Sequence, residues 1–195
     1  MDTRDTKHHQ SMADEETFAE TLAAAKAGSE AAWATLYRRL AGPVTGYLGS
    51  RGASDPEDVA AETFLQVARN IAGFEGGEAA FRSWVFVIAH RRLIDMRRAK
   101  QRRPRIDTLP DDERDVGGGD VEEEAIGNLM APELVSALDT LTEDQRDVLY
   151  LRVIGDLSVE ETALVIGKRQ GAVKALQRRA LQALREHLAE NRVSL

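Results

Sequence analysis

The residues best suited to do chemistry are polar side chains that recur at helical spacing near the carboxyl end of the chain. Gln170, Lys174, Gln177 and Arg178 fall on one face of a predicted helix. Glutamine can pair with adenine edges, and arginine or lysine can reach guanine or a phosphate. With Arg169 in the preceding turn, they form a predicted DNA-contacting set. The residues alone also allow a simpler interpretation, an ordinary helical hairpin with a solvated basic face.

The stretch from Leu157 to Leu188 must position these side chains. Ser158, with Glu161 three residues later, is typical of a helix start, and Gly167 is typical of a helix end. A second helix is predicted from about Gln170. Its inward face repeats every three or four residues, through Val173, Leu176, Ala180, Leu184 and Leu188. Two short helices across a glycine-containing turn indicate a helix-turn-helix, whose second helix enters the major groove.

A second candidate site is the helix predicted over residues 81–103. Its first half is apolar nearly all round, which favours a core position. Between His90 and Arg105, eight arginines or lysines stand against the single acid Asp95, which is predicted to pair with Arg91 or Arg98. Such a basic run indicates phosphate binding. The simpler interpretation is a solvated helix end, where the helix dipole also favours cations. The predicted DNA contacts here are His90, Arg91, Arg92, Arg97, Arg98 and Arg102.

A third surface lies on the helix that follows Asp55-Pro56, a strong start signal. Asp58, Glu62 and Gln66 share its outer face. Taken from the residues alone, this stripe is a solvated face that needs no partner.

Composition narrows the classes of function. The 195 residues contain no cysteine and four histidines scattered along the chain, so neither a metal site nor a cofactor is predicted. No apolar run approaches the roughly 18 residues of a membrane span, and no signal peptide opens the chain, so we expect a cytoplasmic protein. Residues 104–131 account for the whole net charge of −7, because they contain nine acids and only two arginines.

The periodicity predicts an all-α protein with two helical domains joined by a flexible acidic linker. The boundaries are a disordered tail at 1–14, a first domain at 15–103, the linker at 104–131 and a second domain at 132–190. The predicted N-caps are Ser29, Asp55, Thr142 and Ser158. Gly42-Pro43 is expected to break the second helix, and residues 70–78 are expected to form a flexible loop.

Three stretches in this order resemble the bacterial sigma factors of the compact extracytoplasmic-function (ECF) type. DPEDVAAETFLQVARNI and FRSWVFVIAHRRLIDMRRAKQRR resemble the family's region 2, and the stretch from Leu141 to Leu188 resembles region 4. The resemblance implies that Asp58, Glu62 and Gln66 bind core RNA polymerase. It also implies that the basic helix engages a minus-10-type promoter element and the helix-turn-helix a minus-35-type element.

Departures from the family pattern limit this transfer. Ala61 stands where glutamine is usual and Arg91 where asparagine is common. The run Ala175-Leu176-Gln177-Arg178 replaces the more usual Ser-Arg-Leu-His. Individual base contacts are therefore not carried over.

Three classes of function follow. The first is a dissociable promoter-specificity subunit, with core RNA polymerase and promoter DNA as partners and an anti-sigma partner left open. The second is an autonomous helix-turn-helix regulator, which usually dimerises and carries a sensor domain. The third is an enzyme, for which no nucleophile–base pair, glycine-rich phosphate loop or metal-ligand spacing is found.

Overall fold

The computed structural model describes residues 17–102 and 132–192, with side chains at 17–99 and 136–190. Within these ranges every regular element is helical, which confirms the all-α prediction. A three-residue 3₁₀ turn, Ile71–Gly73, follows the third helix. The helices are α1 (17–26), α2 (Glu30–Ser50), α3 (Pro56–Asn70), α4 (Glu78–Arg102), α5 (Pro132–Asp139), α6 (Glu143–Val153), α7 (Val159–Ile166) and α8 (Gln170–Arg192).

The four predicted N-caps are confirmed. Ser29, Asp55, Thr142 and Ser158 each accept a hydrogen bond from a backbone N–H of the first turn. In α6 and α7 the residue at N3 also reaches back to the cap N–H, which completes a capping box. These caps satisfy N–H groups that lack a partner within the helix, so local sequence sets where each helix begins.

The expected break at Gly42-Pro43 was wrong, because α2 continues through Pro43 to Ser50. Proline in a helix interior costs about 3 kcal/mol through its missing N–H and its clash with the preceding turn. The helix nevertheless buries apolar residues on both sides of the proline, Leu36 and Leu40 before it and Val44 and Leu48 after it. Tertiary packing therefore outweighs the local penalty.

Helix α4 is the centre of the N-terminal lobe, which we define as residues 17–102. Val85, Phe86, Ala89 and Leu93 are fully buried along it, and both α2 and α3 pack against it. The predicted core position of its first half is thus confirmed. The surrounding helices fix the direction in which the basic second half of α4 projects.

The loop at residues 70–78 is anchored rather than flexible. Phe74 stacks on Trp84 with ring centroids 5.0 Å apart, and it meets Phe81 edge-on at 5.3 Å. Lys26 also donates a hydrogen bond to the Phe74 carbonyl. The sequence expectation weighed the three glycines of this stretch and overlooked the aromatic residue between them.

The C-terminal lobe, residues 132–192, contains α5 to α8. Leu141, Leu149 and Ala180 form one small buried cluster, and Val148, Ala163 and Val173 form another. This lobe also packs on the N-terminal lobe, which the sequence did not predict. Leu151, Leu157 and Val165 belong to the same buried cluster as the core of the N-terminal lobe. Residues 1–14 and 104–131, the predicted tail and linker, lie outside the described residues.

Candidate nucleic-acid interface

The helix-turn-helix is built by two short-range signals and one buried contact. Gly167 adopts the left-handed conformation, with φ 64° and ψ 31°, and ends α7. The Lys168 N–H then donates to the Ala163 carbonyl at 3.0 Å, which closes the turn. Val173 at the start of α8 is fully buried against the cluster that contains Ala163. The turn and this packing together fix the angle at which α8 leaves α7.

The predicted contact set of α8 lies on its outer side. Arg169, Gln170, Lys174 and Arg178 are exposed, and Gln177 is half-buried at the edge of the face. The inward face carries Val173 and Ala180, both fully buried. The structure therefore gathers the set on one accessible surface at the N-terminal end of a 23-residue helix.

The predicted set of α4 is divided between solvent and internal pairs. Arg91 and Arg98 are exposed, and Arg98 lies 3.8 Å from Asp95, one of the two pairings predicted for that acid. Arg92 instead pairs with Glu62 and donates to the Gln66 side-chain oxygen at 3.1 Å. The side chain of Arg102 lies outside the described residues. Among the α4 side chains that the structure describes, the basic surface offered to solvent is thus smaller than the sequence implies.

Two further members of that set face the C-terminal lobe. Arg97 pairs with Glu143 at 3.3 Å and donates to the Arg51 carbonyl. His90 is only 8% exposed. In this arrangement neither side chain is directed to a ligand in solvent.

The stripe on α3 combines acidic, amide and apolar groups. Asp58 and Glu62 are exposed, and Gln66 is half-buried beneath Arg92. Sequence reasoning missed Leu65, which lies on the same side and is 57% exposed. Its signal was available, since Leu65 falls outside the buried series Ala60, Phe64 and Val67. A single exposed leucine is ordinary on a protein surface, so it leaves the interpretation as a solvated face in place.

A buried polar cluster joins the two lobes, and sequence reasoning missed it as well. Asp147 accepts a hydrogen bond from Arg51 Nε at 2.6 Å and from the Tyr47 hydroxyl at 3.1 Å. The Tyr47 hydroxyl lies 2.7 Å from His90 Nδ1. Because that hydroxyl gives its one proton to Asp147, it must accept from the His90 ring. The sequence signal was an acid directly before two apolar residues that are buried in the structure, Val148 and Leu149.

Burial shifts the titration of two members of this cluster. The pKa of His90 is lowered from its ordinary value, first by desolvation and against the opposing effect of Asp147. The pKa of Tyr47 is raised well above its ordinary value, again first by desolvation and then by the nearby Asp147 carboxylate. Both groups are therefore neutral near pH 7.

The part of the chain with described side chains contains no cluster of His, Asp or Glu arranged to hold a metal ion. None of the described helices is both long and apolar enough to cross a bilayer.

Comparison with known proteins identifies the class. Sigma-70 region 2 matches residues 32–103, and Sigma-70, region 4 matches residues 137–186. These two matches cover most of each lobe and occur in the order that the resemblance implied. The chain belongs to the sigma-70 family of bacterial transcription initiation factors.

The chain is similar to curated proteins of the ECF type. The chain is 30% identical over 174 residues to the ECF RNA polymerase sigma factor BldN of Streptomyces coelicolor, covering 88% of this chain and 66% of that protein. It is 34% identical over 165 residues to the ECF RNA polymerase sigma factor RpoE of Cereibacter sphaeroides. That match covers 82% of this chain and 88% of the relative. For the ECF RNA polymerase sigma factor SigE of Mycolicibacterium smegmatis, the chain spans 62% of the relative's length at 32% identity.

A solved structure shares the fold. The chain is similar to CnrH in its complex with the cytosolic domain of CnrY, with a TM-score of 0.62 and 22% identity. The likeness covers 87% of this chain and 96% of that one. At this identity it concerns the fold alone.

Proposed function

We propose that this chain is a dissociable promoter-specificity subunit that binds core RNA polymerase, recognises two promoter elements and assists strand opening. The observation that supports it most is the presence, in order, of region 2 and region 4 matches on two lobes that each expose a polar or basic face. A subunit of this kind needs two separate DNA-reading surfaces and a surface for polymerase. Helices α8, α4 and α3 supply candidates for all three.

Each surface takes one role in the proposal. The α8 set, from Arg169 to Arg178, reads a minus-35-type element in the major groove. The α4 set engages a minus-10-type element, and its exposed members Arg91 and Arg98 make the first phosphate contacts. Asp58, Glu62 and Gln66 bind core polymerase, and Leu65 adds apolar area to that contact. The proposed domains keep the boundaries 15–103 and 132–190, with a tail at 1–14 and a linker at 104–131.

The remaining features complete the assignment. The protein acts in the cytoplasm and catalyses no reaction of its own, and it requires no cofactor. Its partners are core RNA polymerase and promoter DNA. An anti-sigma protein is a further partner to be sought by mass spectrometry in a pull-down of the chain from lysate.

A mobility-shift titration with and without core polymerase tests the proposal. A single helix-turn-helix has a small footprint, and autonomous regulators usually pair two half-sites through a dimer. The free protein should therefore bind DNA weakly, with strong salt dependence and little sequence preference. Core polymerase should convert this to sequence-specific binding with strand opening. Sequence-specific binding by the isolated chain at nanomolar concentration would instead support the autonomous regulator.

A further inference from the structure

One arginine of the predicted α4 set carries an inference that deepens the proposed function and rests on it. Arg92 pairs with Glu62 through Nη1, and its Nη2 donates to the Gln66 side-chain oxygen at 3.1 Å. Both partners lie on α3 and belong to the proposed polymerase surface. The guanidinium is therefore bound to residues of one proposed site, although its helix supplies another.

The match between Arg92 and its two partners is geometric. Glu62 and Gln66 are four residues apart in α3, so their side chains are neighbours on one face of that helix. A guanidinium presents its N–H donors as a rigid planar fork, and its two terminal nitrogens can hold two acceptors in a fixed relation. A lysine ammonium would be a single point charge. Arg92 thus ties together two side chains that would otherwise move independently.

The surroundings of Arg92 direct it toward α3. Its side chain is 30% exposed, whereas that of Arg98 further along α4 is 67% exposed. Its Nε is buried and has no hydrogen-bond acceptor among the described residues. A buried donor without a partner costs free energy, so the two bonds to α3 are what hold the guanidinium in this place. To reach a phosphate, Arg92 would have to give up both bonds.

The contact also determines what the α3 face offers to a partner. Arginine has only donors, so the Gln66 amide turns its oxygen toward Arg92 and its nitrogen away from it. The Glu62 side chain is 53% exposed, and its carboxylate has further lone pairs for a donor from outside. The face therefore presents an acceptor at Glu62 and N–H donors at Gln66. Its complement on polymerase is a cation or donor opposite Glu62 and an acceptor opposite Gln66.

We propose that Arg92 is a positioning residue of the polymerase surface rather than a DNA contact of α4. It holds Glu62 and Gln66 in the conformations in which they meet core polymerase. Binding then does not have to order two long side chains, which lowers the cost of association. The proposal removes Arg92 from the minus-10 set and leaves the exposed members Arg91 and Arg98 in it.

A competition assay with the full chain tests the role of Arg92 at polymerase. Arg92→Met removes the fork but keeps an apolar stem to pack between α3 and α4. It should compete for limited core enzyme on the order of tenfold more weakly than the wild type. Thermal unfolding checks that the fold persists. The matched control is Arg91→Met, the same change at an exposed position about 100° around the helix, which should compete like the wild type.

The salt dependence of promoter binding by the polymerase complex supplies the opposite readout. The slope of log K against log salt should be the same in Arg92→Met as in the wild type. It should be smaller by about 1 in Arg91→Met, because only Arg91 neutralises a phosphate.

A third measurement shows whether Arg92 acts through its two partners. In a chain that already carries Glu62→Ala and Gln66→Ala, adding Arg92→Met should cause no further loss of competition, because the fork has nothing left to position.

Three results would overturn the inference. Competition by Arg92→Met at the level of the wild type would show that the fork does not serve polymerase binding. A reduced salt slope in that variant would place Arg92 among the phosphate contacts. A further loss in the chain without Glu62 and Gln66 would show that Arg92 contacts polymerase itself.

A measurement on the free protein separates failure of this inference from failure of the proposed function. The nuclear magnetic resonance order parameter of the Gln66 side-chain amide should fall in Arg92→Met and not in Arg91→Met. If it does so but the wild type does not compete for core enzyme, Arg92 positions Gln66 and the assignment of this face to polymerase is wrong. If the wild type competes but the amide is equally mobile in all three proteins, the proposed function stands and the positioning role is wrong.

Discussion

Helices α8 and α4 carry similar polar and basic side chains. They differ in how many of these side chains remain exposed to solvent. On α8 the predicted contacts lie on a face that packing leaves open, with Gln170, Lys174 and Arg178 exposed. On α4, Arg92 is held by α3 and Arg97 by the C-terminal lobe. The difference arises because the predicted contacts of α8 face away from the helices packed against it, whereas α3 and the C-terminal lobe each bring an acid to α4. The number of arginines and lysines in a helix therefore predicts its positive surface well only where no acid from another helix pairs with them.

The largest expected effect is a change in promoter preference, which we expect from substitutions on α8. Replacing Gln170 or Arg178 with alanine should remove a base contact worth about 1–3 kcal/mol and change promoter preference. Lys174→Ala should weaken all sequences alike, as loss of a phosphate contact would. Run-off transcription on a library of upstream elements measures both.

The matched control for these variants is Arg185→Ala, an exposed arginine on α8 about two turns beyond Arg178. It should leave the preference unchanged. If Gln170→Ala and Arg178→Ala also left it unchanged, α8 would lose its role in base readout, and the contrast with α4 would rest on exposure alone.

How much of this could be read from the sequence depends on the range of the contact. Helix starts at Asp55, Thr142 and Ser158 were predicted because a cap acts within a few residues of itself. The contact between Tyr47 and Asp147 joins residues 100 positions apart, and no local pattern specifies it. The same limit explains why α2 was not predicted to continue, because burial of Val44 in the tertiary structure outweighs the helix-breaking tendency of Pro43.

The candidate sites show the same division. Exposure on α8 followed from its periodicity, because its outer residues are the complement of its buried ones. Pairing of Arg92 with Glu62 did not follow, because it requires knowing that α3 lies beside α4. The family resemblance supplied roles for these surfaces but not the contacts between the lobes.

The second prediction breaks the pairing that draws Arg92 away from the basic face. Glu62→Lys removes its acid partner and reverses a charge on the proposed polymerase surface. Competition against another sigma factor for limited core enzyme should weaken on the order of tenfold, which corresponds to about 1.4 kcal/mol. The fold should persist, because Glu62 is exposed.

Its control is Glu57→Lys, which makes the same charge change on another side of α3 and should compete nearly as well as the wild type. That position is in the first turn, so thermal unfolding of the variant must be checked for the small loss expected at the helix dipole. If folded Glu62→Lys and Glu57→Lys competed equally well, the stripe of Asp58, Glu62 and Gln66 would be a solvated face with no role in polymerase binding.

The third prediction concerns pH and the buried side of α4. Burial lowers the pKa of His90, so the folded, closed state binds fewer protons than a state in which the ring is solvated. Stability from this source is complete above the ordinary histidine pKa of about 6.5 and is lost as pH falls from there toward the lowered value. His90→Gln should flatten this part of the pH profile. Thermal unfolding between about pH 7.5 and pH 5.5 measures it.

The charged groups around that ring fix the interpretation. Asp147 and Asp144 oppose the shift, and Arg51 and Arg97 reinforce it. Asp147→Asn therefore removes the main group that stabilises a protonated His90, and it should make the pH dependence steeper wherever the lobes stay closed. A profile that is the same in wild type and His90→Gln would show that His90 does not titrate with closure.

The smallest expected effect tests what remains of the basic face of α4. Arg91 is exposed beyond the internal pairs, so Arg91→Ala should weaken binding to all promoters alike and reduce the slope of log K against log salt by about 1. The comparison is Arg38→Ala on α2, an exposed arginine whose contacts stay within its own helix. Filter binding of the polymerase complex across a salt series measures both slopes. An unchanged slope for Arg91→Ala would remove that residue from the phosphate contacts, and a change of base preference would instead place it among the residues that read sequence.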